Sequence, residues 1–329
     1  MYNSLYLFLK LSFGNSLFFI VPLVYEKGGI LLNTKAFTLA AFTVIIWGST
    51  FAAIRASLHG GYSAGHLVLV RYLIASIFFI ILALWPGVKF RFPKKEDLLR
   101  IVIIGLIGIS IYHIGVTFGE LTISSGTAGM IIGSSPIFTS IIAVIVLKER
   151  LGFIGWIGLS VGFTGIIIIT LGTTGPSLQI SEGIFLLLMS AVATSVLFVF
   201  QKPLLSRYSA IELTAYFTWI GTVPFFIFAP GVLQDIQHAT LEAHLSALYA
   251  GIFPAGIGYI TWAIALSMGK ASSISSVLYA EPVVAIFAAW IWLNEWPSTL
   301  SIIGGVIAIF GVMVVNIFGR KRRILTEES

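Results

Sequence analysis

The chain has 329 residues, 58% hydrophobic and only 10% charged, with a mean hydropathy of +1.02 and a formal charge of +6. A water-soluble domain cannot bury so much apolar surface and still present a charged face, so the balance excludes a soluble globule. The absence of cysteine excludes disulfides, thiolate metal sites and cysteine nucleophiles.

Residues 1–33 stand apart from the rest. The stretch from Leu5 to Val24 is apolar but carries Lys10, Asn15 and Pro22. An extra span, an uncleaved anchor and a misassigned start are the alternatives, and the third is the expectation. Glu26-Lys27-Gly28-Gly29 can be encoded by a ribosome-binding sequence, and Leu32 by a TTG start codon. A native peptide from residues 1–25 in mass spectrometry would contradict this.

Ten apolar segments follow, at 36–56, 65–86, 98–119, 123–147, 153–173, 182–202, 210–230, 244–267, 271–293 and 299–319. Each suits a hydrocarbon core of about 30 Å, which takes about 20 helical residues. Alternating ten-residue barrel strands are not seen, so the expected class is an all-α integral membrane protein. The connections are short, and their basic residues alternate. The second holds Lys89, Arg91, Lys94, Lys95 and Arg100, the fourth Lys148 and Arg150, the sixth Lys202 and Arg207, and the eighth Lys270. The tail, 320–329, opens with Arg320, Lys321, Arg322 and Arg323. The third, fifth, seventh and ninth connections have neither Lys nor Arg, and the first has only Arg55 at its edge. The positive-inside rule therefore places the even connections and the C-terminus in the cytoplasm. The basic runs set topology, so no nucleic-acid partner is expected. Trp85, Trp156, Trp290, Trp292 and Trp296 fall near helix ends, where indoles favour the interface.

The second half repeats the first at an offset of 146 residues. Pro136 answers to Pro282, Glu149 to Glu295, Gly158 and Gly165 to Gly304 and Gly311, and Tyr62-Ser63-Ala64 to Tyr208-Ser209-Ala210. The repeats cover 36–173 and 182–319, five helices each. Five is odd, so the halves must be inverted, the architecture behind alternating-access transport. The small-residue pairs Gly129/Gly133 and Gly158/Gly162 read as packing within one chain before a dimer signal; both monomer and homodimer stay open.

Catalytic motifs do not survive inspection. Gly158-Leu159-Ser160-Val161-Gly162 matches the nucleophile elbow, but it lies inside an apolar helix rather than at a strand-to-helix turn. No zinc-protease, phosphate-loop or dinucleotide motif occurs. The expectation is no enzyme, no cofactor and no metal. The remaining signal is intramembrane polar groups, which are costly unless they face a cavity or partner. Glu281, mid-way along helix nine and directly before Pro282, is the sharpest. Proline frees a backbone carbonyl there, so a local break is expected. Desolvation penalises a charged carboxylate at that depth, making Glu281 a candidate proton carrier or ligand for a substrate amine, with a structural carboxyl as the equal alternative. Its mate at the 146 offset is Ser135. Arg71 reads first as a snorkelling cation or a pair with Glu281 or Glu120, second as a substrate contact. Arg55 reads as a surface residue without a special role. His113 beside Tyr112 corresponds to Tyr259, with Trp262 one turn on. Trp47, Ser49, Thr50, Ser134, Ser195 and Tyr279 complete an aromatic, hydroxyl-lined set.

Trp47-Gly48-Ser49-Thr50-Phe51 followed by Arg71-Tyr72-Leu73 resembles the start of an EamA-type repeat. Ser135-Pro136 through Leu147-Lys148-Glu149-Arg150, and Glu281-Pro282-Val283-Val284 through Leu293-Asn294-Glu295, resemble its later signature. The resemblance covers 36–319 and is specific for the drug/metabolite transporter superfamily. It implies ten helices, cytoplasmic termini, a central cavity and export or exchange of small metabolites such as amino acids.

The resulting expectation is a secondary transporter of the bacterial cytoplasmic membrane that exports amino-acid-like or aromatic compounds, with protons as a candidate coupling ion. One alternative is an antiporter or importer of phosphorylated or nucleotide-linked sugars. Such anions need several cavity cations, and Arg71 is the one clearly intramembrane. A non-transporting membrane scaffold is the other.

Overall fold

The computed structural model describes residues 34–86, 88, 90–146, 152–174, 181–268 and 276–318. The N-terminal extension, the basic tail and the residues Lys148, Glu149, Arg150 and Lys270 lie outside these. The helices are α1 Thr34–His59, α2 Ala64–Leu84, α3 Lys95–Gly119, α4 Ser125–Val146, α5 Phe153–Thr174, α6 Glu182–Gln201, α7 Ala210–Thr222, α8 Leu241–Met268, α9 Glu281–Leu293 and α10 Thr299–Phe318. No strand occurs among the described residues. The first eight spans, with α7 extended by a 3-10 segment to Phe228, are long and apolar enough to cross a membrane, and Val277–Leu293 and Thr299–Val315 are shorter apolar helices. Exposed Ile45, Ile77, Ile145, Ile167, Phe185, Ile291 and Val306 coat the bundle with hydrocarbon, and the five end-of-helix tryptophans are exposed too. That surface suits lipid, not water.

Pairing follows the duplication. α1 packs on α9 and α8, and its mate α6 packs on α4 and α3. The pair α5 and α10, which are mates, pack on each other. Along that interface Gly158 faces Gly311 and Val315, Gly165 faces Gly304 and Ala308, and Gly172 faces Ser298 and Ser301. As one number rises the other falls, so mates run antiparallel and the halves are inverted. The glycines let backbones touch. A Cβ added at Gly165 would lie 2.4 Å from the Ala308 nitrogen.

Several helices are interrupted. α3 and α8 each contain a π-helical turn, Leu106–Ile111 and Phe253–Gly258, at nearly the same place in the two repeats. Such turns re-aim the side chains that follow and are frequent at functional sites. α4 breaks at Gly133–Ser134, just before Pro136, and α9 begins only after a 3-10 turn, Ser276–Ala280, just before Pro282. The break expected at Glu281–Pro282 is thus a change of helical pitch, and it has a counterpart in α4.

Both ends of the bundle are tied across the repeats. At one end Arg91 holds Glu212 bidentately, Nε to Oε1 at 3.0 Å and Nη2 to Oε2 at 3.2 Å. Nearby Asp97 accepts from Arg207 (2.7 Å) and from the Tyr208 hydroxyl (2.9 Å). At the opposite end Asp235, in a short surface helix, accepts from the Ser63 N–H at 2.8 Å and lies 2.5 Å from His66 Nδ1. The first is the Arg207 end; the second, where Glu295 also lies, ion-paired with Arg55 near the end of α1, is the Glu295 end.

Candidate functional site

The π turns of α3 and α8 bring two mates face to face. His113 Nε2 lies 3.3 Å from the Tyr259 hydroxyl. Ser76 and Thr222, also mates, are hydrogen-bonded at 3.0 Å. Residues related by the 146 offset can touch only on the pseudo-twofold axis, so these contacts trace it.

A cavity opens beside His113 on that axis. Its walls are Trp47, Thr50, Phe51 and Ile54 from α1, Tyr112, His113 and Val116 from α3, Ile132 and Ser135 from α4, Thr194 and Phe198 from α6, Pro254 and Tyr259 from α8, and Glu281 from α9. Every helix that contributes has its mate contributing. Trp47 organises the aromatic side. It stacks on Phe198 at 6.0 Å, meets Tyr259 edge-on at 5.2 Å and backs onto Trp262 at 5.3 Å. Its Nε1–H donates to the Pro254 carbonyl at 3.3 Å, a carbonyl inside the α8 π turn. The volume that a water centre can reach is about 30 Å³, roughly two waters. Any larger cargo requires the helices to part.

Of the residues expected from sequence, Trp47, Tyr112, His113, Ser135, Tyr259 and Glu281 line this cavity, with Thr50. Glu281 is 6% exposed and makes no side-chain hydrogen bond or ion pair among the described residues. The others do not line it. Ser49 turns away to the Tyr249 hydroxyl, 2.7 Å. Tyr279 points to the Val312 carbonyl of α10, 3.4 Å. Ser195 donates to the Ser135 carbonyl at 2.8 Å, and Ser134 to Ile131. Trp262 is buried behind Trp47.

Arg71 needs the larger correction. It does not snorkel, because it is fully buried. Nor does it pair with Glu281 or Glu120, since no carboxylate lies within ion-pair distance among the described residues. Among the described residues its one side-chain hydrogen bond is Nη1 to Thr117 Oγ1 at 3.5 Å, and Nε and Nη2 have no hydrogen-bond partner. α2 carries it one layer behind the cavity, where the Tyr72 ring meets His113 at a tilt, centroids 4.5 Å apart.

Arg55 is not an idle surface residue either. Its Nε donates to Glu295 Oε1 at 3.1 Å, and Nη1 donates to the main-chain oxygen of Glu120. Glu295 Oε2 in turn accepts from the Ser125 N–H at 3.2 Å. This cluster joins the first repeat to the second over the seal where α4 meets α9. There a Cβ on Gly129 would stand 2.2 Å from that of Ala285, and one on Gly133 2.3 Å from Pro282 Cγ. The mates of Arg55 and Glu120 are Gln201 and Leu266, so the cluster is not duplicated at the other end. The signal was in the sequence: Arg55 is the lone Lys or Arg among the connections at its end. Thr194 and Phe198 carried no such signal, since their mates are Gly48 and Ala52.

The model of the EamA-like transporter family matches residues 34–171 and 181–317, one copy on each half. The chain belongs to the EamA-like transporter family. Among similar members is the uncharacterized transporter YdfC of Bacillus subtilis, 34% identical over 81% of this chain and 86% of its own. A probable terminal-alkyne amino-acid exporter of Streptantibioticus cattleyicolor is 33% identical over 89% of this chain and 98% of its own. A probable amino-acid metabolite efflux pump of Escherichia coli is 22% identical over the same shares. A crystal structure 20% identical in sequence aligns over 86% of this chain and 98% of its own with a TM-score of 0.61, a likeness of fold. Membership makes this protein a multi-pass membrane transporter of small molecules.

Proposed function

We propose that this EamA-like transporter exports an amino-acid-like or aromatic metabolite across the cytoplasmic membrane by alternating access, exchanging it for protons carried by Glu281. The observation that carries this reading is the place of the cavity. It lies where the mates His113 and Tyr259 touch, between inverted halves that rock about such an axis in transporters of this architecture. Its chemistry fits the cargo class. Trp47, Phe198 and Tyr259 offer faces for an apolar side chain. Glu281, without a hydrogen-bond or ion-pair partner among the described residues, offers one oxygen pair for either a proton or a cargo ammonium group, and the two compete there. No Lys or Arg lines the described cavity, which weighs against phosphorylated cargo. The names of two relatives, an amino-acid exporter and an amino-acid metabolite efflux pump, agree in class.

In this reading the Arg207 end faces the cytoplasm and the Glu295 end faces outward. A cysteine at Gln237 then reacts with an impermeant thiol reagent in intact cells, and one at Lys94 reacts only after permeabilisation. The reverse pattern overturns this orientation.

A further inference from the structure

The buried carboxyl of Glu120 has no part in the central cavity. It sits at the turn between α3 and α4, in the seal at the Glu295 end, and is 0% exposed. Its Oε2 lies 3.3 Å from Ser125 Oγ, and its Oε1 has no partner. Three charged groups face it. Arg55 on α1 acts on it electrostatically, but its hydrogen bonds go to Glu295 and to the main-chain oxygen of Glu120, not to its carboxyl. Arg71 on α2 is near enough to act on Glu120 electrostatically, but not within ion-pair distance. Glu295, beyond α9, adds a second negative charge.

A carboxylate anion buried with one long hydrogen bond and one bare oxygen is poorly compensated. The neutral acid fits better. Ser125 Oγ has one hydrogen and two acceptors within reach, Glu120 Oε2 and the Phe51 carbonyl, each at 3.3 Å. With Glu120 protonated, its O–H donates to Ser125 Oγ, and Ser125 donates onward to Phe51. Every hydrogen then has an acceptor. The bare Oε1 is then a carbonyl oxygen, cheaper to bury than half of an anion.

We propose that Glu120 is a second proton-binding site, separate from Glu281. It takes a proton from the Glu295 side as the seal closes and returns it to that side as the seal opens. This rests on the alternating-access reading. The sign follows from which state holds the proton. Closure is favoured in acid, and opening is favoured as external pH rises and the hydrated acid ionises. Glu120 carries no net proton across; it makes closure conditional on external acidity.

Ile54, fully buried and lining the cavity one residue before Arg55, reports the seal. The chain has no native cysteine, so Ile54→Cys is labelled with impermeant reagent in intact cells. Rates are normalised to an exposed cysteine at Gln237 for the general rise of thiolate with pH, and the slope is read against the same Ile54→Cys thiol in the Glu120→Gln background, which carries that thiol's own titration. From mildly acidic to mildly alkaline external pH, labelling is expected to rise several-fold. Adding Glu120→Gln keeps it low and flat, because the amide mimics the neutral acid. Glu120→Asp keeps the slope, and Glu295→Gln raises labelling at every pH. If Glu120→Gln retains the parental slope, or the parent shows none, the second proton site is wrong. If Glu295→Gln leaves labelling unchanged, this end is not a gate, and the alternating-access reading fails with it.

Discussion

Glu281→Gln is expected to abolish proton-driven flux while the protein stays folded. In proteoliposomes loaded with mixed α-amino acids and given a pH gradient, the variant should lose at least about tenfold of gradient-driven transport, roughly 1.4 kcal/mol or more of coupling. Glutamine keeps the shape of the side chain and one acceptor oxygen but cannot exchange a proton. Among the described residues the cavity supplies no other carboxyl: its remaining polar lining is hydroxyl, indole or imidazole from Thr50, Ser135, Thr194, Tyr112, Tyr259, Trp47 and His113. Packing around Glu281 does not depend on its charge, since no described residue pairs with it. The variant should therefore elute in size exclusion as the parent does. Normal gradient-driven flux in Glu281→Gln would remove the proton-carrier role.

The second large effect concerns the scaffold. Gly165→Val should strip the protein of its folded, monodisperse form, whereas Gly162→Ala should be tolerated. A Cβ at Gly165 meets main-chain atoms of α10: the Ala308 nitrogen at 2.4 Å, the Gly304 oxygen at 2.6 Å and Ala308 Cα at 2.7 Å. None of these can swing aside, so α5 and α10 must separate. Overpacking costs about 1–3 kcal/mol even where side chains can yield, and here the backbone has to. At Gly162 the nearest atom is the Ile137 Cδ1 at 2.5 Å, the tip of a flexible side chain. Alanine there also gains about 1 kcal/mol of helix propensity. Fluorescence-detected size exclusion after a heating series reads both. Equal thermal tolerance of Gly165→Val and Gly162→Ala would contradict the packing described.

These two predictions differ in how far the sequence alone leads to them. The glycines at 158, 165, 304 and 311 keep register because backbone contact tolerates nothing larger, so both the duplication and the tight α5–α10 pair are written in residue type. His113 and Tyr259 were found through the offset, because a cavity on the axis must be lined by mates. Pro282 announced its break, since a missing N–H is a local fact. The π turns did not announce themselves. Leu106-Ile107-Gly108-Ile109-Ser110-Ile111 is as compatible with α-helix, and only its neighbours decide the pitch. Side-chain direction was the other gap. Ser49, Tyr279 and Arg71 sit at plausible depth, but the rotation of each helix about its axis turns them from the cavity. Depth follows from position along the chain, whereas rotation follows from packing. For the same reason the ion pair of Arg55 and Glu295, 240 residues apart, was not legible, although the two charges were.

The most direct measurement is metabolite profiling of the medium from cells expressing the wild-type protein, Glu281→Gln or an empty vector at matched membrane levels. Export through the axial cavity predicts at least one amino-acid-like or aromatic compound enriched outside wild-type cells and at vector level for Glu281→Gln. Indistinguishable media from all three, with the wild-type protein folded in the membrane, would contradict it.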